Sequence, residues 1–355
     1  MTFHPEKLVI EKEVAGSPLV KRILAGLPKA SVQWVDRLGE DNEVQESEAL
    51  EIVKFRGRFV KPCPGTNSYN CCGYQILNFS IQCNLGCTYC ILQAYFPNSN
   101  LRFFANTNEM MQELTEHLGN SPKPVHRIGT GEFTDSLLLD PLTRMSEILV
   151  PFFARQSNAV LELKTKTTNV DLLRSLEHGG HTIVAWSLNP SEVIAQEEAG
   201  AAPLEARVAA AHRCQQWGYR LAFHFDPLLA YPEWRSGYEK VVDYLFSRVD
   251  PKGVAWISLG TLRFMPSLKA IIRARYPMST ILDEEFIPGL DGKLRYFRDL
   301  RVEMYNHLKD LLLAVDKNLC IYLCMESDDV WREAFGFTPA DRGGLSVMLD
   351  RQALL

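Results

Sequence analysis

Short apolar runs alternate along the chain with longer segments in which apolar residues recur at helical spacing. The runs are too apolar for a sheet with one wet face, which is typical of parallel strands covered on both sides. The predicted strands are residues 74–81, 125–129, 159–165, 182–188, 219–225 and 254–259. The predicted helices between them are residues 109–118, 142–153, 170–176, 204–217 and 238–248. Strands separated by helices in this way indicate right-handed crossovers and a parallel sheet.

The number of strand–helix units predicts an unfinished barrel. Six units are present, whereas a closed barrel of this type has eight. The expected fold is therefore α/β, with a partial (β/α)6 barrel. The tail adds predicted helices at 268–276 and 300–315 and a short strand at 319–324, and the N-terminal region has predicted helices at 18–27 and 30–38. We expect an N-terminal extension of mixed helical character (1–58), a barrel core (59–265) and a C-terminal α/β extension (266–355).

Composition and charge narrow the possible functions only slightly. The chain has 355 residues, 46% of them hydrophobic, and a net charge of −5, so its totals do not indicate nucleic-acid binding. One stretch containing Arg56, Arg58 and Lys61 alternates basic and apolar residues. It is either an edge strand with a charged wet face or a strip that contacts phosphates. No stretch resembles an export signal or a membrane span, so we expect a cytoplasmic protein without a membrane partner.

Three cysteines are the strongest chemical signal in the chain. Cys83, Cys87 and Cys90 follow a C-x₃-C-x₂-C spacing directly after the first predicted strand. Three thiolates on one loop suit three corners of a cubane iron–sulfur cluster, and without a fourth cysteine one iron stays open. Zinc is the alternative, but structural zinc sites use four protein ligands, and no His or Cys follows at a zinc-finger distance.

Further polar residues follow the predicted strands at the ends where barrel enzymes collect functional groups. Gly131 and Glu132 follow the second strand, where glycine permits close backbone approach and a carboxylate suits an ammonium group. Lys166 follows the third strand, and Ser187 and Asn189 follow the fourth. Each also has a purely structural interpretation. Gly131 and Glu132 could form a tight turn, Lys166 could be a solvated loop lysine, and Ser187 and Asn189 could be ordinary turn residues.

The cysteine loop and its surroundings resemble a known family. The cysteine spacing, with Tyr89 just before the last cysteine, is similar to the signature of the radical S-adenosylmethionine (SAM) superfamily. The stretches Cys-Pro-Gly-Thr from Cys63, Cys-Cys-Gly-Tyr from Cys71, and Cys-Thr-Tyr-Cys-Ile-Leu-Gln-Ala-Tyr-Phe from Cys87 resemble the spore photoproduct lyase family of DNA-repair enzymes. The likeness extends from about residue 59 to about residue 260.

The resemblance implies a cofactor set and a site. It implies a [4Fe–4S] cluster on Cys83, Cys87 and Cys90, with SAM on the free iron, inside an incomplete six-unit barrel. A 5′-deoxyadenosyl radical derived from SAM would abstract a hydrogen atom from the substrate. The residues that match SAM-binding positions of the family are Gly131, Glu132, Lys166, Ser187 and Asn189. The implied partners are damaged DNA and an electron donor such as flavodoxin or ferredoxin.

Two positions depart from the family pattern. Glu132 stands where the lyases carry the cysteine that donates a hydrogen atom to the product radical, and Ile91 stands where they often have a tyrosine. Lyase chemistry would then need another hydrogen donor, for which the candidates are Tyr89, Cys72 and Cys324. The alternatives are radical modification of RNA, a peptide or a small molecule, and a non-catalytic iron–sulfur or metal-binding protein.

Overall fold

The structure is a computed structural model of the chain and describes residues 3–38, 49–65, 68–96 and 100–354. The strands in these residues are β1 (Lys7–Glu11), β2 (Ser31–Val35), β3 (Ala49–Val53), β4 (Val60–Pro62), β5 (Gln75–Leu77), β6 (Ser80–Ile81), β7 (Leu101–Phe104), β8 (His126–Gly129), β9 (Ala159–Thr165), β10 (Thr182–Ser187), β11 (Arg220–Leu228), β12 (Val254–Thr261), β13 (Arg263–Phe264), β14 (Phe286–Pro288), β15 (Leu294–Tyr296) and β16 (Ile321–Leu323).

The α-helices of the described residues cover most of the segments that the sequence pattern assigns to helix. They are α1 (Pro18–Gly26), α2 (Leu92–Tyr95), α3 (Thr107–Asn120), α4 (Asp140–Thr143), α5 (Ser146–Ala154), α6 (Ser191–Glu197), α7 (Leu204–Gln216), α8 (Trp234–Phe246), α9 (Pro266–Arg275), α10 (Arg298–Val315), α11 (Asp328–Phe335) and α12 (Leu345–Ala353). The helix predicted at 170–176 is a short 3₁₀ segment, Asp171–Ser175.

The largest sheet carries the predicted barrel. Its strand order is β16-β12-β11-β10-β9-β8-β5-β4, and it curls into a half-barrel. Every pair in it is parallel except the edge pair β4–β5. All residues of β10 and β12 are buried, as expected for parallel strands with both faces covered. The six predicted barrel strands are therefore present, as β5 and β8 to β12.

The first predicted strand, at 74–81, is two strands in different sheets. β5 pairs with β8 in the large sheet, whereas β6 pairs antiparallel with β7 in a second sheet. Between them the backbone N–H of Asn78 donates to the carbonyl of Phe59 at 2.8 Å. Both β5 and Phe79 are buried, so the apolar run continues through the break and hydrophobicity alone does not reveal it.

The second sheet has the order β2-β1-β3-β7-β6 and comes mostly from the N-terminal region. The helix predicted at 18–27 is present as α1, but the helix predicted at 30–38 is wrong, because β2 lies there and pairs parallel with β1. Val32, Trp34 and Val35 favour an extended chain once the edge of β1 is available. The N-terminal region is thus a mixed α/β layer, and its boundary at residue 58 stays a prediction.

The C-terminal region adds to the large sheet instead of standing apart from it. β16 lies within the strand predicted at 319–324 and pairs parallel with β12. A third, antiparallel sheet, in the order β13-β15-β14, covers the segment after β12. Among the described residues, no helix combines the length and apolar character needed to cross a membrane.

A buried ion pair fixes the chain just after β16. Arg301 Nε and Glu326 Oε1 are 2.9 Å apart, and both side chains are more than nine-tenths buried. The Tyr305 hydroxyl also donates to Glu326 Oε1 at 2.9 Å. We expect Arg301→Met to lower the free energy of unfolding by about 3–5 kcal/mol, because it leaves a buried carboxylate without its cation. Urea unfolding followed by circular dichroism measures the change.

The matched control lies at the start of the same helix. Arg298 is half exposed and faces Asp329 at 3.9 Å and Glu333 at 3.6 Å. Arg298→Met should cost less than about 1 kcal/mol, because exposed pairs contribute little. Equal losses in the two variants would show that burial does not set the strength of the pair at Arg301.

Candidate active site

The cysteine loop runs from β6 to α2 and is tied to the turn that follows α6. The backbone N–H of Thr88 donates to the carbonyl of Glu197 at 2.9 Å, and that of Gly200 donates to the carbonyl of Leu85 at 2.9 Å. A Cβ at Gly200 would stand 2.8 Å from that Leu85 oxygen, so a side chain there would separate the two segments. Gly86 turns the loop with a φ of 64°, in the left-handed region that favours glycine.

The three thiols of this loop line one cavity of about 270 Å³. The cavity lies at the C-terminal ends of the strands of the large sheet, as the barrel rule predicts. Its charged and polar lining residues from the strand ends include Glu132, Lys164, Thr165, Lys166, Ser187, His224, Asp226 and Arg263. The structure therefore brings the cysteine loop together with four of the five predicted SAM-binding residues, Gly131, Glu132, Lys166 and Ser187.

Cys83, Cys87 and Cys90 provide the donor atoms expected at an iron–sulfur site. Burial raises the pKa of all three thiols above the ordinary value, and the nearby Glu198 adds to this effect at Cys87. Metal ligation needs thiolates, so loading a metal here releases protons. Three thiols facing a cavity lined by polar groups fit a cluster that keeps one iron open for another ligand.

Glu132 faces Lys164 across the cavity wall. Glu132 Oε2 and Lys164 Nζ are 3.3 Å apart. Burial opposes the charged form of Lys164, but the carboxylates of Glu132, Glu162 and Asp226 outweigh burial and raise the pKa of Lys164. A Cβ at Gly131 would lie 2.8 Å from the Cβ of Lys164, so glycine permits this turn to approach β9. Glu132, the carboxylate predicted to bind the amino group of SAM, thus already lies beside the ammonium group of Lys164.

Behind the cysteine loop lies a buried carboxylate that the sequence did not reveal. Glu198 is 1% exposed; it pairs with the fully buried Arg207 and lies 3.8 Å from Lys166 Nζ. Its Oε1 accepts hydrogen bonds from Asn189 Nδ2 at 3.0 Å and from the Tyr89 hydroxyl. Burial favours the neutral form, but Lys166 and Arg207 outweigh burial and lower the pKa of Glu198 to about 2. The ionised carboxylate therefore holds these side chains in place.

Two of the predicted residues take different places around the cavity. Tyr89 lines it, and Lys166 Nζ lies 5.5 Å from the centroid of its ring. Asn189 is not among the described residues that line the cavity. Its Oδ1 accepts a hydrogen bond from the Tyr238 hydroxyl at 2.9 Å, and its amide group donates to Glu198. Asn189 is therefore part of the buried network behind the site.

Cys324, predicted as a possible hydrogen donor, lies in an adjoining cavity. Arg263 Nη2 donates to its sulfur at 3.3 Å, while the same guanidinium pairs with Asp226 at 2.8 Å. The two cavities share several walls, among them Glu132, Lys164 and Arg263. Cys324 is thus next to the main cavity without lining it.

The basic strip predicted near β4 is partly engaged within the protein. Arg56 pairs with Glu11 at 3.1 Å and with Glu13 at 2.7 Å. Lys61 lies over the Phe55 ring, with Nζ 5.6 Å from the centroid. β4 is an edge strand of the large sheet and contains Lys61, so the edge-strand interpretation holds there, whereas Arg56 and Arg58 precede the strand.

Comparison with known proteins identifies the family. The sequence profile of spore photoproduct lyase matches residues 66–297, more than half of the chain. The chain belongs to the spore photoproduct lyase family. This confirms the resemblance drawn from the cysteine loop.

The spore photoproduct lyase of Bacillus subtilis (strain 168) is 28% identical over 215 residues, covering 58% of this chain and 62% of that enzyme. That of Geobacillus sp. (strain Y412MC61) is 25% identical over 202 residues, covering 56% and 59%. Each alignment thus spans about three fifths of the relative's length.

Solved members of the spore photoproduct lyase family share the fold. One, complexed with dinucleoside spore photoproduct, matches with a TM-score of 0.80 at 20% identity, over 91% of this chain and all of that one. A variant with bound AdoMet and the same dinucleoside matches with the same TM-score, identity and coverage. These matches confirm the predicted α/β half-barrel with extensions.

The pairing of Glu198 predicts a pH dependence of stability. Because its pKa in the folded chain, about 2, lies below the ordinary 4.5, its pairing stabilises the fold fully above pH 4.5. This stabilisation, about 3 kcal/mol at most, is lost as the pH falls from about 4.5 to about 2. We expect Glu198→Gln to flatten the decline of unfolding free energy in this window, as measured by urea unfolding at stepped pH.

Glu205→Gln, at an exposed position on α7, is the control and should keep the slope of the parent protein. A Glu198→Gln variant with the parent's slope would mean that this carboxylate is not stabilised in its charged form.

Proposed function

We propose that this chain is a radical SAM enzyme that acts as a lyase on damaged DNA, separating covalently joined thymines. The observation that carries the proposal is one cavity in which three thiols of the cysteine loop face Glu132, Lys166 and Ser187 at the mouth of a half-barrel. Family membership supports the reaction class. The thiol set supports the cofactor, because an open iron is what SAM requires.

The cavity residues fit both cofactors of such an enzyme. Cys83, Cys87 and Cys90 would hold a [4Fe–4S] cluster and leave one iron for SAM. When bound, the cluster and SAM would supply the radical chemistry by which a hydrogen atom is removed from the substrate. A solved relative with bound AdoMet supports the second cofactor. An electron donor of the ferredoxin or flavodoxin type would deliver the reducing electron.

Side chains around the thiols bind and orient SAM in this proposal. Glu132 receives the amino group at a turn that Gly131 keeps close to β9. Lys166 offers a cation to the carboxylate end, and the Ser187 hydroxyl donates and accepts hydrogen bonds. Asn189 acts as a positioning residue, since its hydrogen bonds go to the buried network that holds Lys166. Cofactor contact by Asn189 itself stays a prediction.

The walls of the cavity suit a nucleobase substrate. Tyr95 and Phe133 line it, and the Phe133 ring packs edge-on against Phe96 with centroids 6.0 Å apart. Aromatic faces stack on bases of any sequence, and enzymes that act on bases receive them in such pockets. Two cations also line it: Arg263, which pairs with Asp226, and Lys293, which lies 3.9 Å from Asp291. Solved relatives with dinucleoside spore photoproduct support a DNA lesion as substrate.

Loss of the cluster ligands tests the cofactor assignment. In protein reconstituted with iron and sulfide without oxygen and then reduced, SAM should yield 5′-deoxyadenosine, measured by chromatography. Changing Cys83, Cys87 or Cys90 to Ala should abolish the product, because the cluster loses a corner. Cys320→Ala is the control, since this cysteine lines neither described cavity and should leave the yield unchanged.

The same assay separates the alternatives. Conversion of dinucleoside spore photoproduct to two thymidines, in which the thymine bases are separate, supports the proposal. The enzyme could instead form 5′-deoxyadenosine while leaving both the dinucleoside and the lesion in duplex DNA unchanged. This result would contradict damaged DNA as the substrate and would favour radical modification of RNA, a peptide or a small molecule. A fully loaded cluster that never cleaves SAM would indicate a non-catalytic iron–sulfur protein.

We propose Tyr89 as the hydrogen donor that replaces the missing cysteine, because it lines the main cavity; Cys324, in the adjoining cavity, is the second candidate. Tyr89→Phe also removes the hydrogen bond to Glu198, so the yield of separated thymine is measured per 5′-deoxyadenosine formed. We expect this ratio to fall severalfold, with by-products of an unquenched radical resolved by mass spectrometry. Tyr95→Phe is the control, a second cavity tyrosine that should keep the thymine yield. An unchanged product pattern in Tyr89→Phe would exclude Tyr89.

A further inference from the structure

Four cysteines outside the loop of Cys83, Cys87 and Cys90 converge on a second cavity. This cavity of about 110 Å³ adjoins the candidate active site and is lined by Cys63, Cys71, Cys72 and Cys324. The four thiols come from three segments of chain: the residue after β4, the stretch before β5 and the residue after β16. The chain has nine cysteines, and the remaining two, Cys214 and Cys320, line neither described cavity.

Backbone contacts hold these segments against one another. Asn70 donates to the carbonyl of Glu326 from its backbone N–H at 3.0 Å and from its side-chain amide at 3.2 Å. This joins the segment of Cys71 and Cys72 to the chain just after Cys324. The buried pair of Arg301 and Glu326 fixes the same place from the other side. The meeting of the thiols is therefore built into the fold.

Two glycines let the thiol-bearing segments approach closely. A Cβ at Gly65 would stand 3.1 Å from the sulfur of Cys71, so a side chain there would press on that thiol. Gly73 follows Cys72 with a φ of 74°, and a Cβ there would lie 2.9 Å from the Ser346 hydroxyl. Gly65 therefore leaves room for the Cys71 sulfur, and Gly73 lets the chain after Cys72 pack against Ser346.

Three cations line the cavity, and two of them donate hydrogen bonds to the cysteines. Arg263 donates to the sulfur of Cys324 at 3.3 Å, and Arg127 donates to the carbonyl of Cys72. Lys164 also lines the cavity. Carboxylates are present too, and those of Glu132, Glu162 and Asp226 are paired with Lys164, His224 and Arg263 respectively. Arg127 also pairs with Asp350 at 2.7 Å, so each of these three cations lies between a carboxylate and the thiol-bearing segments.

We propose that Cys63, Cys71, Cys72 and Cys324 bind a second iron–sulfur cluster. Four cysteine thiolates close the coordination of a [2Fe–2S] or [4Fe–4S] cluster, in contrast to the open three-cysteine site beside it. Among the described residues, no three His, Cys, Asp or Glu side chains are grouped as ligands of a single metal ion. The same is true of Cys83, Cys87 and Cys90, so both thiol sets suit a cluster in which each iron takes one thiolate better than a single zinc ion. The site also assigns Cys324 a ligand role, which leaves Tyr89 as the hydrogen donor.

Iron content tests this site without reference to catalysis, so its failure is distinct from failure of the proposed function. The full chain with Cys83, Cys87 and Cys90 all changed to Ala is reconstituted with ferrous iron and sulfide without oxygen. We expect about two to four irons per chain, the visible absorption of thiolate-bound iron, and an electron paramagnetic resonance signal after reduction. Complete loss of iron in this folded variant would overturn the proposal.

Variants that remove the second site and keep the cysteine loop show whether a loss of iron reflects lost ligands or misfolding. Changing Cys71 and Cys72 to Ser in a chain with an intact cysteine loop should remove the additional two to four irons and keep about four. Cys320→Ser is the matched control, because this thiol lies just before β16 and lines neither described cavity. Equal iron in the Cys71→Ser/Cys72→Ser variant and the control, or zinc in place of iron at these cysteines, would contradict a second cluster.

Discussion

A single ionised carboxylate inside the protein connects the cysteine loop to the barrel. Glu198 is desolvated, and a desolvated charge is tolerated only when cations and hydrogen bonds surround it. Arg207 and Lys166 provide the cations. The chain around Glu198 also bonds to the backbone of the loop at Thr88, so charge pairing and backbone pairing are satisfied together. The position of the thiols relative to β9 and β10 follows from this joint requirement.

Two lysines near the cavity are each held by a different carboxylate. Lys166 is held on one side by the buried carboxylate, and Lys164 is held on the other by Glu132. The two lysines are two positions apart where β9 ends, and they pair with different carboxylates. A cofactor with both an amino and a carboxylate group, such as SAM, meets fixed charges of both signs there. This pre-arrangement lowers the cost of ordering side chains on binding.

Local chemistry explains which parts of the fold and site the sequence could predict. Strands β9 to β12 are buried on both faces, so their apolar runs mark them clearly, and the barrel rule then leads to Glu132, Lys166 and Ser187. The failures involve partners distant in sequence. β2 is extended because β1 offers an edge, and residues 74–81 divide between two sheets that no local pattern distinguishes. Glu198 ends a helix like any solvated glutamate, and only Arg207 and the cysteine loop make it a buried charge. The domain boundaries and the catalytic roles of individual residues stay predictions.

The pairing of β16 with β12 makes the C-terminal region part of the large sheet. Because this strand delivers Cys324 and Met325 to cavity walls, the last ninety or so residues cannot be a detachable appendage. A shortened chain that ends after the sixth barrel strand would expose the edge of β12. Its unpaired N–H and C=O groups could then pair with a strand of another molecule and cause aggregation. Loss or exchange of the C-terminal region would therefore change the walls of both cavities.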